Sequence, residues 1–155
     1  MKPKAAVIDS ERPAPNFSKL RMPLARRKEI LWKLMDICQS LHVGVEFAIE
    51  EFDSVSAYAQ GEYDPIANHI LVLRPLKSKD DVPLHMLWVF AHECRHAQQF
   101  NQRLKPDGWL FYCGGLVTEP TADLVWLEND ADDWGTDFIK QHLTKKERDR
   151  VTFDE

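Results

Sequence analysis

The sequence predicts a single α+β domain: an N-terminal helix, a small three-stranded and mainly antiparallel sheet, and two long helices towards the C-terminus. Three observations predict it. Apolar residues recur at helical spacing over residues 24–41, 83–102 and 121–142. Between residues 43 and 73, short stretches instead alternate or run continuously apolar, as strands do. The length, 155 residues, suits one domain with a core of its own.

Residues 1–22 carry Pro3, Pro13 and Pro15, with Pro23 just beyond, and read as an extended arm with at most a short strand at 5–8. The first helix, residues 24–41, turns Ile30, Leu31, Leu34, Met35, Ile37 and Cys38 inward and Lys28 and Glu29 outward. Val43, Val45, Phe47 and Ile49 then alternate with Gly44, Glu46, Ala48 and Glu50, a strand over 43–52. A second strand is expected at 55–60, reached through Asp53-Ser54, before Gly61 and Asp64-Pro65 break the chain. The apolar run 68–73 is the third strand, ended by Pro75, and the three are expected to form a meander.

The second helix, 83–102, begins at Pro83, with Asp80 and Asp81 in place to cap it. Met86, Leu87, Phe90, Ala91, Cys94 and Ala97 make its apolar stripe. Residues 104–121 are irregular, rich in Gly and Pro, and hold Trp109, Phe111 and Tyr112, in keeping with either a cleft wall or a cover for the core. The third helix, 121–142, packs through Leu124, Leu127, Ala131, Trp134 and Phe138, with Gly135 a weak point in it. The domain proper is thus 23–143, followed by a charged tail at 144–155 that frays or forms a short helix.

Composition excludes several classes. A net charge of −5 offers no basic field for general nucleic-acid binding, and no apolar run is long enough to span a membrane. The first residues lack the apolar core of a signal peptide. Cys38, Cys94 and Cys113 are widely spaced, odd in number and without CxxC, which reads as reduced thiols in a cytoplasmic protein. Nothing in the residues fixes an oligomeric state.

The chemistry lies in the second helix. His92, Glu93 and His96 spell HExxH. Positions i and i+4 share a helix face one turn apart, so both imidazoles can grip one metal ion. Glu93, rotated about 100° from His92, sits beside that ion and can reach a water on it. Cys94 falls on the opposite side and reads as core. A catalytic site of this kind needs a third ligand. The last helix offers Glu128 and Asp132, four apart beside a buried stripe: Glu128 to ligate, Asp132 to accept a ring N–H from His92 or His96. Glu119 and Asp123 are rival ligands, while Asp130, Asp133 and Asp137 read as a solvated acidic patch.

HExxH at 92–96 followed by Glu-x-x-Ala-Asp at 128–132 resembles the gluzincin metallopeptidases. The order of helix, strands, HExxH helix and glutamate helix, over residues 24–142, is similar to that of the small ImmA/IrrE-like bacterial and phage-associated metallopeptidases. The resemblance implies a small zincin-like fold, Zn²⁺ held by His92, His96 and Glu128, Glu93 as general base, and Asp132 orienting a histidine. It also implies a zinc-dependent endopeptidase acting on a protein or peptide. The strand 68–73 would match the family's edge strand, so an extended peptide would add along it. Tyr112, His69, His85 and Arg95 are alternatives for contacting substrate or transition state, although Arg95 reads more simply as a surface ion pair. The competing function is a catalytically silent, metal-stabilised binding or regulatory module of the same fold.

Overall fold

A computed structural model describes residues 15–50, 61–75, 82–104 and 122–153. The described chain is a mixed α+β fold built around one helix. Its elements are β1 (Pro15–Asn16), α1 (Leu24–Ser40), β2 (Gly44–Glu50), β3 (Gly61–Asp64), β4 (His69–Pro75), α2 (Leu84–Asn101), α3 (Ala122–Lys140), α4 (Lys145–Arg148) and β5 (Thr152–Phe153). No helix among the described residues is long and apolar enough to cross a membrane. The strand expected at 55–60, the short one at 5–8, Asp80, Asp81, Cys113 and the aromatics of the 104–121 segment lie outside the described residues.

The helix α2 occupies the centre, packed by α1, α3, β3 and β4. Its expected stripe is buried throughout, and Leu84, Trp88 and Val89 are buried as well. A stripe widens in this way when a helix has neighbours on several sides rather than one. The N-cap position falls on Pro83, and no side chain caps the helix. Instead the Arg27 guanidinium donates to the Val82 carbonyl at 2.7 Å, tying the chain entering α2 to α1. Ile30, Leu34 and Cys38 of α1 face the core, while Lys28 and Glu29 are exposed as expected. The Cys38 and Cys94 sulfurs meet at 3.4 Å as buried free thiols between α1 and α2.

The sheet differs from the expected meander. Its order is β2-β4-β3. β2 runs parallel to β4, with Val45 opposite Ile70 and Phe47 opposite Val72, and only β3 and β4 are antiparallel. The sheet is therefore mixed, not mainly antiparallel. Alternation places side chains on faces, but it carries no information on strand direction. β4 is the central strand, with Ile70 and Val72 fully buried. Both of its hydrogen-bonding edges are occupied, so it cannot serve as the edge strand to which a peptide adds.

The break at Asp64-Pro65 is the turn joining β3 to β4. Asp64 Oδ1 accepts from the amides of Ile66 and Ala67 at 2.9 and 3.2 Å, and Asn68 closes the turn at φ 51°. Asn tolerates that left-handed conformation because its short amide can bond locally. Here it donates to the Leu41 and His42 carbonyls and accepts from Tyr63 Oη at 2.7 Å.

The ends extend the folded unit past residues 23–143. Phe17, Leu20 and Met22 of the arm belong to the core. β1 pairs antiparallel with β5, Pro15 opposite Phe153. Between them α4 is closed by a capping box in which Thr144 and Glu147 satisfy each other's backbone amides. The Arg26 guanidinium donates twice to the Glu147 carboxylate, at 2.9 and 2.8 Å, and so holds α4 against α1.

Candidate metal centre

Two helices build the site. On α2, His92 and His96 stand one turn apart with their Nε2 atoms 3.0 Å from each other. From α3, the Glu128 carboxylate bridges them: Oε2 is 3.1 Å from His92 Nε2 and Oε1 is 3.0 Å from His96 Nε2. One ligand atom from each of the three lies within 4.8 Å of the others, a group that could hold a metal ion. Ligand atoms of a four-coordinate ion with bonds of ~2.0–2.1 Å stand about 3.3 Å apart. The two nitrogens, and each nitrogen with the Glu128 oxygen nearest to it, are within a few tenths of an ångström of that spacing. The donor set, two imidazoles and a carboxylate, suits a borderline divalent ion.

The surroundings support the same reading. Both histidine side chains are only 12% exposed. Asp132 Oδ1 is 2.8 Å from His92 Nδ1 but out of line with the ring N–H, so that buried nitrogen makes no directed hydrogen bond. Of the two histidines offered to Asp132 by the sequence, the structure gives it His92.

Burial alone would lower the His92 pKa, but the Asp132 and Glu128 carboxylates more than offset it and push the ring up to about 10. His96 follows the same balance, with Glu128 the main opposing charge. Burial would raise the Glu128 carboxyl; His96 and His92 hold it well below the usual carboxylate range. Carboxylates thus surround both rings and favour positive charge between them. Glu93 lies beside the pair, Oε1 4.0 Å from His92 Nε2. Burial raises its pKa, against the pull of His96 and His92.

Two glycines permit the close packing around this turn. A Cβ on Gly61 of β3 would fall 2.7 Å from Val89 Cγ1 and 3.3 Å from Glu93 Cγ. Gly135, expected to be a weak point of α3, instead lies against the backbone of α2 at His92. The helix gives up propensity there to bring Glu128 and Asp132 within reach. Trp88 adds a second pin, donating from Nε1 to Thr136 Oγ1 at 3.1 Å.

Other expected residues are placed elsewhere. His69 pairs with Gly44 and Asp64 at the start of β4. Asp64 is three residues along β3 from the Gly61–Glu93 contact, about 10 Å at strand rise. The structure therefore does not bring His69 to the triad. His85 stacks on Trp88, whose indole separates it from His92. Tyr112 and the rival ligand Glu119 lie outside the described residues, as does the side chain of Asp123.

Arg95 forms the expected ion pair, Nε to Asp130 Oδ2 at 2.7 Å. Asp130 is accordingly no part of a solvated patch. It is held by Arg95 and by Gln99 Nε2 at 2.8 Å, and these hydrogen bonds outweigh burial and keep its carboxyl below the usual range.

Gln99 is the residue that sequence reasoning missed. Fully buried, it contacts His96 Nδ1 through Oε1 at 2.8 Å and the Leu127 carbonyl through Nε2 at 3.0 Å. Its position three after His96, on the ligand face of the helix, was the available signal.

What the fold and the site define is a two-helix His-His-Glu group able to bind a metal ion. Compared with protein-family models, curated proteins and solved structures, the chain matches none.

Proposed function

We propose that the protein is a zinc-dependent metallopeptidase. The observation that carries this reading is the convergence of three neutral or anionic ligand atoms, His92 Nε2, His96 Nε2 and a Glu128 oxygen, with a buried carboxylate, Glu93, 4.0 Å from the first. A site that only stabilises the fold has no use for a further carboxylate held beside the ligands. Zinc, when bound, supplies a Lewis acid that makes water a nucleophile near neutral pH and polarises a carbonyl.

The remaining work falls to the chain. His92, His96 and Glu128 hold the ion. Asp132 sets the ring of His92. Glu93 takes a proton from the attacking water as the new C–O bond forms, and returns it to the amine as the C–N bond breaks. Burial lifts its pKa towards the range in which a carboxylate exchanges protons readily with water. Among the described strands, the outer one that touches Glu93 is β3. An extended peptide would lie along it, not along the covered β4.

The test is Glu93→Gln. Purified without added metal, wild type and variant should both take up one equivalent of zinc. Wild type should cleave a peptide library, and the variant should be slower by about 10²–10⁴-fold. Equal metal content with no cleavage by either would favour the silent, metal-stabilised module. An absence of zinc from both would sink the metal reading itself.

A further inference from the structure

We propose that Gln99 is a positioning residue whose side-chain amide fixes His96 in the Nδ1–H form and so aims its Nε2 lone pair at the metal position. The inference rests on the metal reading above and adds how one of its ligands is set.

Hydrogen-bond polarity forces the conclusion. The Gln99 side chain is fully buried, so water does not share its partners. One end of the amide faces the Leu127 carbonyl oxygen at 3.0 Å and Asp130 Oδ2 at 2.8 Å. A carbonyl oxygen can only accept, and the Asp130 carboxylate, paired with Arg95, is ionised and also only accepts. That end must therefore be the NH₂ group, with both hydrogens committed. The other end must be the oxygen, which lies 2.8 Å from His96 Nδ1. Oxygen facing an unprotonated nitrogen at that distance would set two lone pairs against each other. His96 Nδ1 therefore carries a hydrogen, and in the neutral ring Nε2 is the ligand atom.

The same amide joins the two ligand-bearing helices. Leu127 immediately precedes Glu128, so the Gln99 bond to its carbonyl fixes the turn from which Glu128 projects. Asp130, one turn of contacts further, is held by Arg95, the residue before His96. His96, Gln99, Asp130 and Arg95 thus form a continuous polar chain between α2 and α3. A neutral amide here does for His96 what the Asp132 carboxylate stands ready to do for His92.

The experiment has two readings. Ring-¹⁵N spectra of the metal-free wild type, taken above the pH at which the His96 ring loses its charge and assigned with His96→Gln, record whether Nδ1 of the neutral His96 ring bears the hydrogen. The expected result is that it does, and a bare Nδ1 overturns the proposal. Zinc affinity by competition with a chromogenic chelator is then compared for wild type, Gln99→Leu and Gln99→Glu. Gln99→Glu keeps an oxygen acceptor for Nδ1, and its buried carboxyl, held protonated by desolvation, supplies a hydrogen towards Leu127 and Asp130 while leaving the Arg95–Asp130 pair in place.

Gln99→Leu should bind zinc about 10–100-fold more weakly. Gln99→Glu should recover most of the loss. A folded Gln99→Leu protein with wild-type affinity overturns the proposal. If Gln99→Leu fails to fold, Gln99→Glu decides: affinity as weak as that of a His96→Ala ligand deletion overturns the proposal, and recovery supports it. Should wild type bind no zinc, the metal reading fails, while the ¹⁵N spectrum still decides the polarity.

Discussion

Gly135 of α3 faces the main chain of His92 on α2: a Cβ on Gly135 would stand 3.3 Å from the His92 amide nitrogen and 3.4 Å from Trp88 Nε1. This contact sets the distance between the two ligand-bearing helices. Gly135→Ala gains about 1 kcal/mol of helix propensity but forces the helices apart by a few tenths of an ångström. The expected outcome is a global stability within about 1 kcal/mol of wild type, with zinc affinity about tenfold weaker. Denaturant unfolding and chelator competition measure the two quantities separately. An alanine variant with unchanged affinity would show that the helices have slack at this point.

Glu128→Ala removes the carboxylate that α3 contributes to the candidate metal group. With zinc at 100 times its dissociation constant, wild type should gain about 2.7 kcal/mol of stability from mass action. The alanine variant should gain far less at the same zinc concentration. Thermal unfolding with and without zinc reads this directly, and an equal shift in both proteins would remove Glu128 from the ligand set.

Asp132→Asn keeps the shape of the side chain beside His92 but not its charge. Affinity for zinc should fall about 10–100-fold while the stoichiometry stays at one. A variant that loses the site altogether would make Asp132 a ligand in its own right.

The His92–His96–Glu128 group was legible because helical periodicity is a strict ruler. Two histidines four apart, and an acid beside an apolar stripe, can point to only one side of their helices. The same ruler fails for an amide such as Gln99, which looks like any polar residue until its partners on α3 are known. It also misjudged Asp130. In the run Glu128–Asp133, it is the tertiary position of Arg95 that draws Asp130 into an ion pair. Sheet order was beyond reach for a different reason. Val45, Ile70 and Val72 announce strands, but their direction is decided by how the intervening chain crosses, and alternation is blind to that.

The Arg26–Glu147 pair should set part of the acid stability. The Arg26 guanidinium beside Glu147 pulls its carboxyl from an ordinary value of 4.5 down to about 2. A depressed folded-state pKa gives stability that is complete above about pH 4.5 and is lost as pH falls towards about 2. The Arg26 side chain is 34% exposed, so solvent screening reduces the contribution to on the order of 1 kcal/mol. Glu147→Gln preserves the capping geometry while removing the charge. It should be less stable by that amount at pH 7 and indistinguishable from wild type near pH 2. A difference that does not change with pH would assign the stabilisation to packing.

Because Pro15 and Phe153 are neighbours across β1 and β5, the described chain is nearly a closed ring. Its first and last described residues lie side by side. The ring can also be reopened elsewhere. A permuted protein with a short bridge between residues 15 and 153, cut at the exposed Ile66, would keep every helix that bears a ligand intact.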